Sequence, residues 1–199
     1  MKKIPFLLIA VRFILAPVIV SLACFAGEKQ RFLILAFMYF GLLTDIFDGI
    51  IARKTGVSSE RLRRMDSQTD LVFWLSLGCA AYLLNPDLIK EEWKGILLLL
   101  VMEVLCYVVS IVKFRKETCT HAWLSKLWGL SLLLALTFLI GFKKTGWTFD
   151  LTVILGFISH VDVILIVLLL PKWRYDVPSF YHAWRIRKGR HVKKTVLFN

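Results

Sequence analysis

Four aspartates stand at the edges of two apolar runs in the stretch TDIFDGIIARKTGVSSERLRRMDSQTD, residues 44–70. Asp45 and Asp48 are three residues apart, and Asp66 and Asp70 are four apart. On a helix of 3.6 residues per turn, either spacing puts both carboxylates on one face. Gly49 and Ala52 continue the first face with very small side chains. Two helices would therefore each present a carboxylate pair, joined by a basic loop. Four converging carboxylates repel one another unless cations sit among them. Hard oxygen ligands suit Mg²⁺ or Mn²⁺, and two such ions form a clamp for phosphoryl chemistry. Gly49 and Ala52 would let a bulky ligand approach the helix backbone. Arg53 and the cations after it could hold its phosphate.

The elements that position these residues follow from composition. The chain has 199 residues, 58% of them hydrophobic, and a formal net charge of +12. That apolar content exceeds an ordinary soluble domain, and places the positive charge at a lipid surface rather than on nucleic acid. A bilayer crossing needs about 20 residues. Candidate spans run near 4–26, 32–51, 71–84, 95–112, 123–141 and 151–170. The third is too short unless its helix begins earlier, near Leu62 or Asp66, and so includes the acidic residues. The MKK start with its apolar run is similar to a signal peptide, but the run's length, with Arg12 and Pro17 inside it, reads as a retained helix. The four cysteines, Cys24, Cys79, Cys106 and Cys119, form no CxxC pair and read as free thiols.

Lysine and arginine set the orientation. With the N-terminus in the cytosol, that side holds Lys2, Lys3, Arg53, Lys54, Arg61, Arg63, Arg64, Lys113, Arg115, Lys116 and Lys126. It also holds the tail cations Lys172, Arg174, Arg185, Arg187, Lys188, Arg190, Lys193 and Lys194. The outer loops keep Lys29, Arg31, Lys90, Lys94, Lys143 and Lys144. The expected fold is all-α and integral to the membrane, with six transmembrane helices, both termini cytosolic and a polar cavity facing the cytosol. A single domain covers 1–199, and its basic, aromatic tail from about 171 to 199 lies on the anionic inner leaflet.

At this point the residues resemble a known family. Asp45-Ile-Phe-Asp48-Gly49-Ile-Ile-Ala52-Arg53, followed by Asp66-Ser-Gln-Thr-Asp70, is similar to the signature of the CDP-alcohol phosphatidyltransferases, D-x2-D-G-x2-A-R-x8-G-x3-D-x3-D. The spacing agrees throughout. Leu62 departs from it, standing where the pattern has glycine, and helical spacing expects it to share the carboxylate face and narrow the pocket wall. Arg12 with Pro17 resembles a weaker feature of the family's first helix. The resemblance implies that Asp45, Asp48, Asp66 and Asp70 bind two divalent ions, Mg²⁺ or Mn²⁺, and that Asp70 is also the proton acceptor. It places Gly49, Arg53 and Ser59, alongside Ala52, against the CDP-linked lipid. It implies CDP-diacylglycerol as donor, CMP as leaving group, a bacterial cytoplasmic membrane location and a homodimer.

The acceptor stays open in the sequence. The loop KFRKETCTHAWLSK carries Lys113, Arg115, Lys116, His121 and Lys126, and could bind a phosphate on the acceptor, with Arg115, Lys116 and Lys126 the candidates. Glycerol 3-phosphate is the first choice. Inositol, inositol phosphate and phosphatidylglycerol are alternatives. Other classes are a non-catalytic lipid binder or scaffold of the same fold, and an ion transporter. Glu103, His160 and Asp162 lie inside spans and should pair between helices or line the cavity. Trp93, Trp123, Trp147 and Trp173 read as interfacial anchors.

Overall fold

The computed structural model describes residues 3–57 and 59–190. Lys2, Lys193, Lys194 and the tail beyond residue 190 lie outside the described residues. Within them the protein is helical, without strands. Five stretches are long and apolar enough to cross a membrane: Ile4–Phe25, Gly27–Lys54, Trp93–Phe114, Trp123–Gly141 and Trp147–Leu169. A further long helix, Glu60–Leu84, has 25 residues, but its first half is too polar for that class. The chain is a multi-spanning integral membrane protein, and it divides into two compact units.

The first unit holds α1 (Ile4–Phe25), α2 (Arg31–Lys54), α3 (Glu60–Leu84), the short α4 (Pro86–Glu91) and a π-helical turn at Thr137–Gly141. Helix α1 packs against both α2 and α3. Its buried stripe is Pro5, Ile9, Arg12, Ala16, Ile19 and Ala23, steps of three and four that trace one helical face. Pro17 lies inside it and leaves the Phe13 carbonyl without its helical N–H donor, a break that membrane helices tolerate; the Ser21 hydroxyl donates to the Pro17 carbonyl at 2.8 Å. The stripes of α2 and α3 include Asp48 and Asp66 among apolar neighbours. Gly41 of α2 makes room for the Phe73 ring of α3: a Cβ there would come within 2.2 Å of that ring.

The turn between α2 and α3 is built by local chemistry. Helix α2 ends at Lys54, and Gly56 adopts a left-handed φ of 66°. The Val57 N–H then donates to the Ala52 carbonyl at 3.1 Å, and the Gly56 N–H to Arg53 at 3.3 Å. This is a Schellman stop, with the accompanying apolar contact of Val57 in the cluster that holds Ala52. Ser59 then caps α3, its hydroxyl accepting from the Leu62 N–H at 3.2 Å, with Glu60 favourable in the first turn.

The second unit holds α5 (Trp93–Phe114), α6 (Trp123–Leu136, apart from its last residue), α7 (Trp147–Leu169) and α8 (Phe180–Arg187). Tryptophans Trp93, Trp123 and Trp147 each begin one of these helices and are exposed, as anchors should be. Helix α5 packs on α7, and α7 on α8. Glu103 meets His160 at 2.8 Å across α5 and α7. Asp162 accepts from the Phe180 N–H at 3.0 Å and so holds the start of α8. These intramembrane ionisable groups pair between helices, as expected.

Candidate active site

The four aspartates come together in the first unit. Helix α2 supplies Asp45 and Asp48 and helix α3 supplies Asp66 and Asp70, with the chain reversing between them. One carboxylate oxygen each from Asp45, Asp48 and Asp66 lies within 4.8 Å of the others. The side chains of Asp48 and Asp66 are 5% and 6% exposed, whereas those of Asp45 and Asp70 are 38% and 28% exposed. The cluster thus has a buried side and an open side, each formed by one residue from each helix.

Arg12 of α1 stands at its centre. Its side chain is 1% exposed. Nη1 donates to Asp45 at 2.7 Å and to Asp70, on the open side. Nη2 donates to Asp48 and, at 2.7 Å, to Asp66, on the buried side. One guanidinium therefore touches all four carboxylates, and a second, that of the buried Arg63, lies 4.0 Å from Asp66. Carboxylates alone, as expected from the sequence, are not the whole cluster. The signal for Arg12 was a lone arginine in the middle of an apolar helix, a group that must pair with acids or reach water. Its partners sit on other helices, so spacing along α1 could not name them.

The remaining site residues are placed as follows. Gly49 is partly covered by Arg53, whose Nη1 would lie 3.5 Å from a Cβ at that position, while Arg53 itself is exposed. Ala52 is buried against Ile9, Leu62 and Val57. Leu62 shares the buried stripe of α3 with Asp66, but its side chain fills this apolar cluster. Ser59 is committed through its hydroxyl to the cap of α3. Arg115, Lys116 and Lys126 belong to the second unit. There Arg115 ends α5 in a left-handed conformation, Lys116 lies over the Trp173 ring at 4.8 Å, and Lys126 is exposed. Lys113 donates to the Val167 and Leu168 carbonyls at the end of α7 and to that of Leu170 just after it, at 2.7–3.0 Å.

The donor set fits a divalent ion. Its oxygens are hard, anionic and already within a few ångströms of one another, and Asp48 and Asp66 are shielded from water. Divalent ions held by such a cluster would offset the charge of a diphosphate, and its open carboxylates can exchange protons with a substrate.

The family model described as CDP-alcohol phosphatidyltransferase matches residues 2–170. No curated protein and no solved structure matches the chain.

Proposed function

The chain belongs to the CDP-alcohol phosphatidyltransferase family, and from that premise we propose that it transfers the phosphatidyl group of CDP-diacylglycerol to glycerol 3-phosphate and releases CMP. The observation that carries this reading is the meeting of a carboxylate pair from α2 with one from α3 around a single buried cluster. In this reading the Asp70 carboxylate, on the open side, takes the proton of the acceptor hydroxyl. The hydroxyl oxygen attacks the β-phosphorus of the CDP-lipid, the bond from that phosphorus to the CMP oxygen breaks, and CMP leaves. General-base help of this kind is worth roughly 10²–10⁴-fold. Asp45, Asp48, Asp66 and Asp70 would hold two divalent ions, Mg²⁺ or Mn²⁺, which offset the charge of the diphosphate and of departing CMP. Arg53 reaches the donor's phosphates over the small Gly49, with Ser59 and Ala52 at the edge of the same site.

The basic loop residues Arg115, Lys116 and Lys126 support a phosphorylated acceptor. The same reading makes 1–199 one domain of six spans, taking α3 as the sixth. A helix of 25 residues is about 37 Å long at 1.5 Å per residue, enough to cross. Both termini and the polar cavity face the cytosol of a bacterial inner membrane, and the protein works as a homodimer. That placement lets diacylglycerol tails remain in lipid while the water-soluble acceptor arrives from the cytosol. The test supplies purified protein in detergent with CDP-diacylglycerol, Mg²⁺ or Mn²⁺ and a panel of alcohols, and follows CMP. Release with glycerol 3-phosphate is expected. Release with a different alcohol alone would replace the acceptor, and release with none would overturn the reading.

A further inference from the structure

We propose that Arg12 is a built-in competitor for the metal site: its guanidinium holds the four carboxylates together, and it must withdraw from them when a divalent cation binds. This rests on the metal reading of the aspartate cluster given above. Three observations carry it. First, Arg12 engages an oxygen of every carboxylate that would ligate the ion, both on the buried side and on the open side. A divalent cation within that cluster would stand a few ångströms from the guanidinium, and like charges at that separation repel strongly where water is scarce. Second, four carboxylates share Arg12, with Arg63 beside Asp66 alone at 4.0 Å, so acids still outnumber the guanidinium groups and Arg12 steadies the cluster without cancelling its pull on a stronger cation. Third, Nε of Arg12 is buried with no hydrogen-bond partner. Only the two terminal nitrogens tie the side chain down, and all of their bonds are to the aspartates. Withdrawal therefore breaks no other polar contact of this side chain.

The consequence is an exchange of cations at one place. Arg12 keeps α1, α2 and α3 joined when divalent ions are scarce, and it weakens the apparent affinity for them by the same interactions. A purely structural arginine would do the first and not the second.

The test uses the full chain purified in detergent and stripped of divalent ions with a chelator. Mn²⁺ binding is followed by the loss of the free-ion electron paramagnetic resonance signal, and folding by circular dichroism. Arg12→Gln is expected to bind Mn²⁺ at least tenfold more tightly than wild type. Its melting temperature in chelator should fall by several degrees, and Mn²⁺ should restore more of it than Mn²⁺ adds to wild type. Mn²⁺ binding by Arg12→Gln alone, with none by wild type, would show that Arg12 blocks the site without exchanging with the ion, and would overturn the proposal. Equal or weaker binding by a folded Arg12→Gln, with wild type binding, would overturn it. If Arg12→Gln does not fold in chelator, Arg12→Lys decides the matter, because a single ammonium cannot reach all four carboxylates as the guanidinium fork does. Tighter Mn²⁺ binding than wild type is then expected, and unchanged or weaker binding overturns the proposal. Absence of Mn²⁺ binding by every folded variant would instead remove the metal reading itself, and the exchange with it.

Discussion

Arg12 and the aspartates around it divide the site into parts with different duties. Asp48 and Asp66 are buried and bonded to one guanidinium nitrogen, while Asp45 and Asp70 share the other and remain open. Asp48→Asn removes one candidate ion ligand and the charge from one hydrogen bond of Arg12, while three carboxylates stay on the same guanidinium. It should therefore lower Mn²⁺ affinity with little loss of melting temperature, read by metal titration and thermal unfolding in detergent; unchanged Mn²⁺ affinity would contradict this division. Arg53 differs, being exposed beside Gly49. Arg53→Ala should raise KM for CDP-diacylglycerol about tenfold, the loss of one charge-assisted hydrogen bond of about 1.5 kcal/mol, with a small effect on melting. Steady-state kinetics with varied donor would check it, and an unchanged KM would count against the donor contact.

The helices and their turns explain how sequence spacing becomes geometry. Asp45 and Asp48, and Asp66 and Asp70, were readable as two pairs because one helix fixes each spacing. The early start of α3 was readable too, since the apolar run from Leu71 is too short to cross alone. Ala52 was harder. Its small size suggests room for a ligand, yet the Schellman stop at Gly56 turns Val57 back onto the cluster that contains it. Leu62 joins the same cluster, which accounts for a large apolar side chain at that position. Ser59→Ala removes the cap of α3 and should cost about 1 kcal/mol, whereas Ser59→Asp should keep most of it. Thermal unfolding of both compares them; equal loss in the two would remove the capping role. Gly41→Ala drives a methyl into Phe73 and should cost about 1–3 kcal/mol, by overpacking. Phe73→Leu in the same chain should recover part of that loss, and no recovery would place the strain elsewhere.

At the scale of the whole molecule, the apolar stretches and the cation bias were plain in the sequence. The pairing of Arg12 with acids on two other helices was not, because it exists only once three helices pack. The pairing of Glu103 with His160 is of the same kind. Orientation is tested with single cysteines in a background with Cys24, Cys79, Cys106 and Cys119 all replaced by Ser. An impermeant maleimide applied to intact cells should label Asp87→Cys and leave Lys188→Cys unlabelled until the membrane is opened; the reverse pattern would invert the topology. The most direct measurement is CMP release by wild type and Asp70→Asn, assayed side by side with CDP-diacylglycerol, glycerol 3-phosphate and Mn²⁺. The account predicts CMP from wild type, matched by a new phospholipid, and a loss of roughly 10²–10⁴-fold in Asp70→Asn with its fold and melting intact. Wild-type turnover by a folded Asp70→Asn would contradict it.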